Sequence, residues 1–417
     1  MKFFTAFFMF LCLICSAQEL KIEKIEFINC RKLNLKFLNN LIHSKEGTVA
    51  DTTIIKKDIV ILNRMNGVSK ATYEVTKTTE NNCILKFIIV ENYSLIPTLN
   101  IWTTDQQGSY RVGVNEFNAF GRNITIGGFY QYNSLNSFGL NFKYPTFFSS
   151  KLGLETNFQK ISSVEPLFFK EKRAVYNYTI TAIEFLNVYQ LNYKNQFKAG
   201  ISIFSEEYDY KSGFTSLGAP LYLKTNKKLF KFQYNYDNLE YDYYIVKGFR
   251  SSTFLQYVVT NGDANSDFKI GWNDFSYFRQ IGKNGNWATR LRIGLATNNN
   301  SPFAPFAIDN NFNFRGVGNL VDRDTGTFVL NTEFRKTIFE KKWFVLQSNA
   351  FIDLGSSRNP GATFKDFAKT NNFRVYPGIG LRFIHKTIFN ATFRLDYGFG
   401  ITKNASQGLV FGFGQYF

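Results

Sequence analysis

The stretch TFVLNTEFR, residues 327–335, decides how this chain folds. Side chains alternate along an extended strand, so Phe328, Leu330 and Phe334 fall on one face and Asn331, Glu333 and Arg335 on the other. The same alternation runs through 288–295, where Leu291, Ile293 and Leu295 alternate with Arg290, Arg292 and Gly294. It runs through 390–398, where Phe393, Leu395 and Tyr397 alternate with Thr392, Arg394 and Asp396. In the last segment Val410, Gly412 and Gly414 alternate with Phe411, Phe413 and Phe417. From about residue 97 onward the helical period is absent, and roughly sixteen such segments follow, bounded by Asn, Gly, Asp and Ser clusters.

A soluble sandwich would alternate in the same way. Strand length and aromatic content favour a membrane. The segments read as about ten residues each, the length that crosses a bilayer at a tilt. The chain of 417 residues carries 48 Phe and 23 Tyr, which suits the aromatic girdles of a transmembrane barrel. Beyond the N-terminus no apolar run is long enough for a membrane helix. The net charge is +17, with Lys and Arg spread along the chain rather than clustered. That fits an anionic membrane surface or a polar lumen, and no nucleic acid is expected.

Residues 1–17, MKFFTAFFMFLCLICSA, have the form of a signal peptide: Lys2, then an apolar core to Ile14, then the small-residue site Cys15-Ser16-Ala17. Export makes a disulfide between Cys30 and Cys83 available, with two free thiols as the alternative. The chain has two His, and beyond residue 17 it has no zinc-ligand spacing, so no metal and no cofactor are expected. It lacks a G-x-S-x-G elbow, an H-E-x-x-H pair and a phosphate loop, so an enzyme is not expected.

Residues 18–94 form a separate small unit. Ile22, Ile25 and Phe27 mark a strand. Leu35, Leu38, Leu41 and Ile42 recur at helical spacing, and Ile54, Ile55, Ile59, Ile61 and Leu62 mark a second helix behind Asp51, a good N-cap. Strand-like segments at 68–78 and 83–91 follow, giving the order β-α-α-β-β. The expected fold is therefore mainly β: a sixteen-stranded antiparallel transmembrane barrel over 95–417, preceded by one small α+β unit.

An ordered series in the last third carries a resemblance. Asn313-Phe-Arg-Gly-Val-Gly318 lies in a long connection and is followed by 329–335, by Phe351-Ile-Asp-Leu-Gly355, by Gly378-Ile-Gly-Leu-Arg382 and by Arg394-Leu-Asp-Tyr-Gly398. This series resembles the C-terminal half of the BamA/TamA superfamily of outer-membrane assembly and translocation barrels. Residues 118–123 and 144–148 look like that family's early barrel segments, and the β-α-α-β-β unit resembles its POTRA domain. Better-known members carry several POTRA domains, and this chain has room for one. The tip reads Arg-Gly-Val, where an aromatic residue commonly follows the glycine.

The resemblance implies a loop that folds back into the barrel and docks its Arg-Gly tip on the inner wall. Arg315 and Gly316 match that tip. A guanidinium inside a barrel needs carboxylates, and Glu333, Asp353 and Asp396 lie on the polar parity of their strands as candidate partners. The family also implies a labile seam between the first and last barrel strands. Gly408, Gly412, Gly414 and Phe417 mark the terminal strand there; the glycines either weaken it or give room in a tightly curved wall.

The function implied is insertion, assembly or translocation of polypeptides at the outer membrane of a Gram-negative bacterium, alone or as a subunit of a larger complex. The implied partners are outer-membrane lipid, client outer-membrane or secreted polypeptides, and periplasmic or lipoprotein partners reached through a periplasmic POTRA-like unit. The alternative is a passive channel or structural barrel. An adhesin using loops at 162–173, 207–226 and 356–372 ranks behind both.

Overall fold

A computed structural model describes residues 20–104, 107–169, 172–215, 220–261, 267–298, 305–308, 313–317, 322–402 and 405–417. The signal-peptide expectation for residues 1–17 lies outside them. The chain divides into two compact units between Glu91 and Asn92.

The first unit contains β1 (Lys21–Ile28), α1 (Leu35–Leu41), α2 (Thr52–Asn63), β2 (Val68–Lys77) and β3 (Asn82–Glu91). β3 is the central strand, parallel to β1 and antiparallel to β2. Cys83, Leu85, Phe87 and Ile89 alternate into the core, where they meet Leu38, Ile55 and Leu62 from the helices. Asn34 caps α1 and Asp51 caps α2, each accepting a hydrogen bond from a first-turn N–H. The Glu91 carboxylate accepts from the successive backbone N–H groups of Arg31, Lys32 and Leu33 and so fixes the entry to α1.

The structure corrects the disulfide expectation. Cys30 and Cys83 are both free thiols. Cys83 stands opposite Ile22, while Cys30 follows the other end of β1. Eight residues of extended chain span about 20 Å or more, far beyond the roughly 7 Å that a disulfide bridges between Cα atoms. Burial pushes the Cys30 thiol up from its ordinary value to about 11 and raises Cys83 as well. A raised pKa keeps a thiol neutral, so iodoacetamide at pH 8 is expected to label native Cys30 roughly a hundredfold more slowly than the unfolded chain. Labelling read by mass spectrometry should accelerate as the pH rises toward 11, and reductant should leave the melting of this unit unchanged.

The second unit is one antiparallel sheet of sixteen strands in up-and-down order. Its first half contains β4 (Leu95–Thr104), β5 (Gln107–Ala119), β6 (Ile124–Tyr132), β7 (Asn136–Tyr144), β8 (Leu152–Phe169), β9 (Lys172–Gln190), β10 (Asn195–Gly213) and β11 (Tyr222–Asp242). It continues with β12 (Ile245–Asn261), β13 (Phe268–Ile281) and β14 (Gly285–Ala296). A long connection then carries the small hairpin β15 (Phe306–Ile308) and β16 (Asp322–Asp324). The sheet closes with β17 (Gly326–Glu340), β18 (Phe344–Arg358), β19 (Arg374–His385), β20 (Thr392–Phe399) and β21 (Gln407–Phe413). No helix among the described residues is long and apolar enough to cross a membrane, which says nothing against crossing by strands.

The two edges of the sheet, β4 and β21, share no pairing register among the described residues. What brings them round is a contact at the end where the chain enters β4. The Tyr93 N–H donates to the Thr387 carbonyl at 2.8 Å, and the Phe389 N–H donates to the Tyr93 carbonyl at 3.0 Å. The Phe117 and Phe389 rings pack there at 4.7 Å, tilted at 49° to one another.

Strand length departs from the sequence expectation. β8 to β12 run 17 to 21 residues, whereas β20 and β21 run 8 and 7. Residues 162–169, 172–173, 207–213 and 222–226, read from the sequence as surface loops, belong to these long strands. The reason is a reversal of polarity along them. In the middle of the wall Phe185 and Phe230 face outward, and Glu184 and Lys231 pair inside. At the far end Leu167, Ala174, Tyr176 and Tyr208 turn a buried apolar face inward. Tyr176 Oη donates there to the Pro220 carbonyl at 3.0 Å. A uniform apolar-out pattern does not survive that reversal, so these ends resemble loops in the sequence.

Candidate functional site

The C-terminal wall assembles the site. β17, β18, β19 and β20 each turn a polar row inward, because residues of one parity face the lumen. Glu333 and Arg335 come from β17, Asn349, Phe351 and Asp353 from β18, Arg382 from β19, and Arg394 and Asp396 from β20. All eight are buried.

The connection between β14 and β17 enters this wall at two levels. At its base Phe306 packs edge-on to Trp272 at 6.4 Å, and Trp272 stacks on Phe254 at 4.4 Å. Gly294 leaves the space that Phe306 fills: a Cβ there would stand 2.7 Å from the ring. At its tip, residues 313–317 lie on β18 and β20. Phe314 sits over Gly355, and the backbone of 315–316 lies against Gly398.

Arg315 is fully buried at that tip. Its backbone N–H and Nε both donate to Asp353 Oδ2, at 2.9 and 2.8 Å, and Nη2 donates to Asp353 Oδ1 at 2.8 Å. Nη1 donates to Glu333 Oε2 at 2.5 Å and stands 3.8 Å from Asp396 Oδ2. The guanidinium carbon lies 3.6 Å from the centre of the Phe351 ring and 4.3 Å from that of the Tyr416 ring. Asn331 Nδ2 bridges the Asn313 carbonyl and Asp353 Oδ1, each at 2.8 Å.

The carboxylates are shared further. Glu333 also accepts from Arg335 and from Arg382 Nη2 at 3.2 Å, and Asp396 accepts from Arg382 Nη1 at 2.7 Å. Arg394 Nη1 lies 3.6 Å from Asp396. Arg290 on β14 donates to Asn331 Oδ1 from both Nε and Nη2. Five buried arginines, Arg290, Arg315, Arg335, Arg382 and Arg394, thus gather around the buried carboxylates Glu333, Asp353 and Asp396. A buried network of this kind fixes one arrangement, because removing any member strands charges in a dry place.

The structure brings Arg315, Gly316, Glu333, Asp353 and Asp396 together. Of the seam residues, Gly408 and Gly412 lie in β21, and Gly412 makes room for Arg394: a Cβ there would stand 2.6 Å from its Cζ. Gly414 lies directly beside that strand, and the parity read for Phe417 is a correction. β21 ends at Phe413, Gly414 takes φ +78°, and the chain turns inward. Phe417 therefore leaves the outward parity counted in the sequence and packs against Phe278 across the lumen.

Sequence reasoning missed Arg335, Arg382 and Arg394 as members of the network, and Phe351, Tyr416 and Gly398 as its walls. A readable signal existed for the arginines, which recur at the lumen parity of successive strands. Nothing local marked Tyr416.

No family model matches the chain, and no curated protein matches it in sequence. Solved structures do match in fold. BamA from Haemophilus ducreyi lacking POTRA domains 1–3 is 15% identical with a TM-score of 0.53, over 94% of this chain and 83% of that one. CdiB from Escherichia coli is 10% identical with a TM-score of 0.61, over 94% and 75%. CdiB from Acinetobacter baumannii is 13% identical with a TM-score of 0.55, over 95% and 73%. The chain has the barrel fold of BamA and CdiB.

Proposed function

We propose that this chain is an outer-membrane protein of the BamA/TamA type that assists insertion, assembly or translocation of polypeptides, alone or within a larger complex. The observation that carries the reading is the seam: β4 and β21 are the edges of one long sheet and share no register. An edge strand offers a row of free N–H and C=O groups, and a client strand adds to it by main-chain pairing. The short strands β20 and β21 stand on one side of that edge. The docked Arg315 tip holds β17, β18 and β20 as a rigid flank. In this reading the first unit lies in the periplasm and offers its own strand edge to partners. The proposal gives the chain no catalytic step.

The test is a photo-crosslinking residue placed at Leu99 in β4, at Phe411 in β21 and at Phe232 in β11, all outward-facing positions. Cells making each variant are irradiated, and adducts are identified by mass spectrometry. Adducts with barrel precursors or exported polypeptides are expected at 99 and 411 and not at 232. Equal adducts at all three positions, or none alongside steady conductance in planar bilayers, would replace this reading with the passive channel.

A further inference from the structure

β21 is an unusual last strand. Among the described residues it pairs with β20 alone, and its outward side chains Leu409, Phe411 and Phe413 are more than half exposed. Seven residues paired on one side are a weak hold, since stability within a structure follows local burial and pairing. The segment after it is bound in another way. Gly414 reverses the chain at φ +78°, and its N–H donates to the Thr392 carbonyl at 2.7 Å. Tyr416 then drops into the lumen and is 4% exposed.

The seat it fills is made of guanidinium groups. The Tyr416 ring lies 4.3 Å from Arg315, 4.8 Å from Arg394 and 5.8 Å from Arg290. These three arginines come from the loop tip, from β20 and from β14, so one ring touches three separate elements. Phe417 extends the contact, 5.6 Å from Arg335 and 5.7 Å from Arg290, with Leu239, Phe278 and Ala288 around it. An electron-rich ring face set among guanidinium groups is a favourable placement.

We propose that residues 414–417 are a latch: the aromatic ring of Tyr416, seated among Arg290, Arg315 and Arg394, holds the last strand at the seam and ties it to the loop tip. The latch belongs to the barrel itself, so it stands or falls whether or not the protein handles clients. The ring face is the holding element.

Hydrogen exchange on the full chain in lipid nanodiscs tests this, comparing amides of β21 with those of β19. In Tyr416→Ala the β21 amides are expected to exchange about tenfold faster, with β19 unchanged. Tyr416→Phe should keep the protection of the parent chain. Tyr416→Leu fills the seat with apolar volume but no ring face, is milder for assembly, and should open β21 as Tyr416→Ala does. Unchanged β21 exchange in Tyr416→Leu, or loss of protection in Tyr416→Phe, overturns the latch.

Discussion

Replacing Asp353 by alanine is expected to free the loop tip from the barrel wall. Asp353 accepts three hydrogen bonds from Arg315, at its backbone N–H, Nε and Nη2, and a fourth from Asn331. Every one of these groups is buried. Removing the carboxylate strands a guanidinium that Glu333 alone cannot satisfy. The cost of breaking one side of a buried pair is about 3–5 kcal/mol, more than a short surface loop recovers elsewhere. The strand ladder between β17 and β18 does not depend on this side chain, so the barrel should still assemble and run as a heat-modifiable band. Trypsin should cut after Arg315 in Asp353→Ala and spare the parent chain. A double variant, Arg315→Met with Asp353→Leu, should lose less thermal stability than Asp353→Ala, read by the temperature at which the folded band is lost, because it removes both members of the pair together. Resistance to trypsin equal to the parent chain in Asp353→Ala would mean that the tip is held by packing alone.

The lumen chemistry was legible because of its arithmetic. Polar and charged residues share one parity on 327–335 and on 394–398 while their neighbours are apolar, and strand number and aromatic content turn that alternation into a lumen rather than a sandwich face. The Arg-Gly tip was legible through the resemblance carried by the ordered series of motifs that follows it. The seam was less so. Alternation through 410–417 reads as one strand, and the left-handed turn at Gly414 is a single torsion that no periodicity records. Tyr416 and Phe417 are bound by arginines from β14, β17, β20 and the tip, which are far apart in sequence. The far ends of β8 to β11 were lost for a different reason. There the inward face changes from Lys and Glu to Tyr, Leu and Ala, so the pattern changes sign within one strand. The cysteines were judged by compartment, and register decided against them.

The second large effect is steric and falls on Gly316. It adopts φ +100°, and a Cβ there would stand 2.6 Å from the Gly398 carbonyl carbon and 2.9 Å from the Gly398 Cα. A Cβ on Gly398 would in turn stand 2.6 Å from the Arg315 carbonyl carbon. Both partners are backbone, one of them inside β20, so neither can step aside as a flexible side chain would. Gly316→Val should cost about 1–2 kcal/mol for the left-handed torsion and about 1–3 kcal/mol for the overpacking. The tip would have to retreat from β20, and the bidentate geometry between Arg315 and Asp353 would open with it. Gly361→Val is the matched control. Gly361 has φ +82° with nothing within 4 Å of its Cβ position, so it carries the torsional cost alone. Trypsin cleavage after Arg315 should therefore appear in Gly316→Val, appear more weakly in Gly398→Ala, and be absent in Gly361→Val. Cleavage in Gly361→Val as fast as in Gly316→Val would make general loop strain the cause and remove the close approach of 316 to 398 as the reason for glycine at both positions.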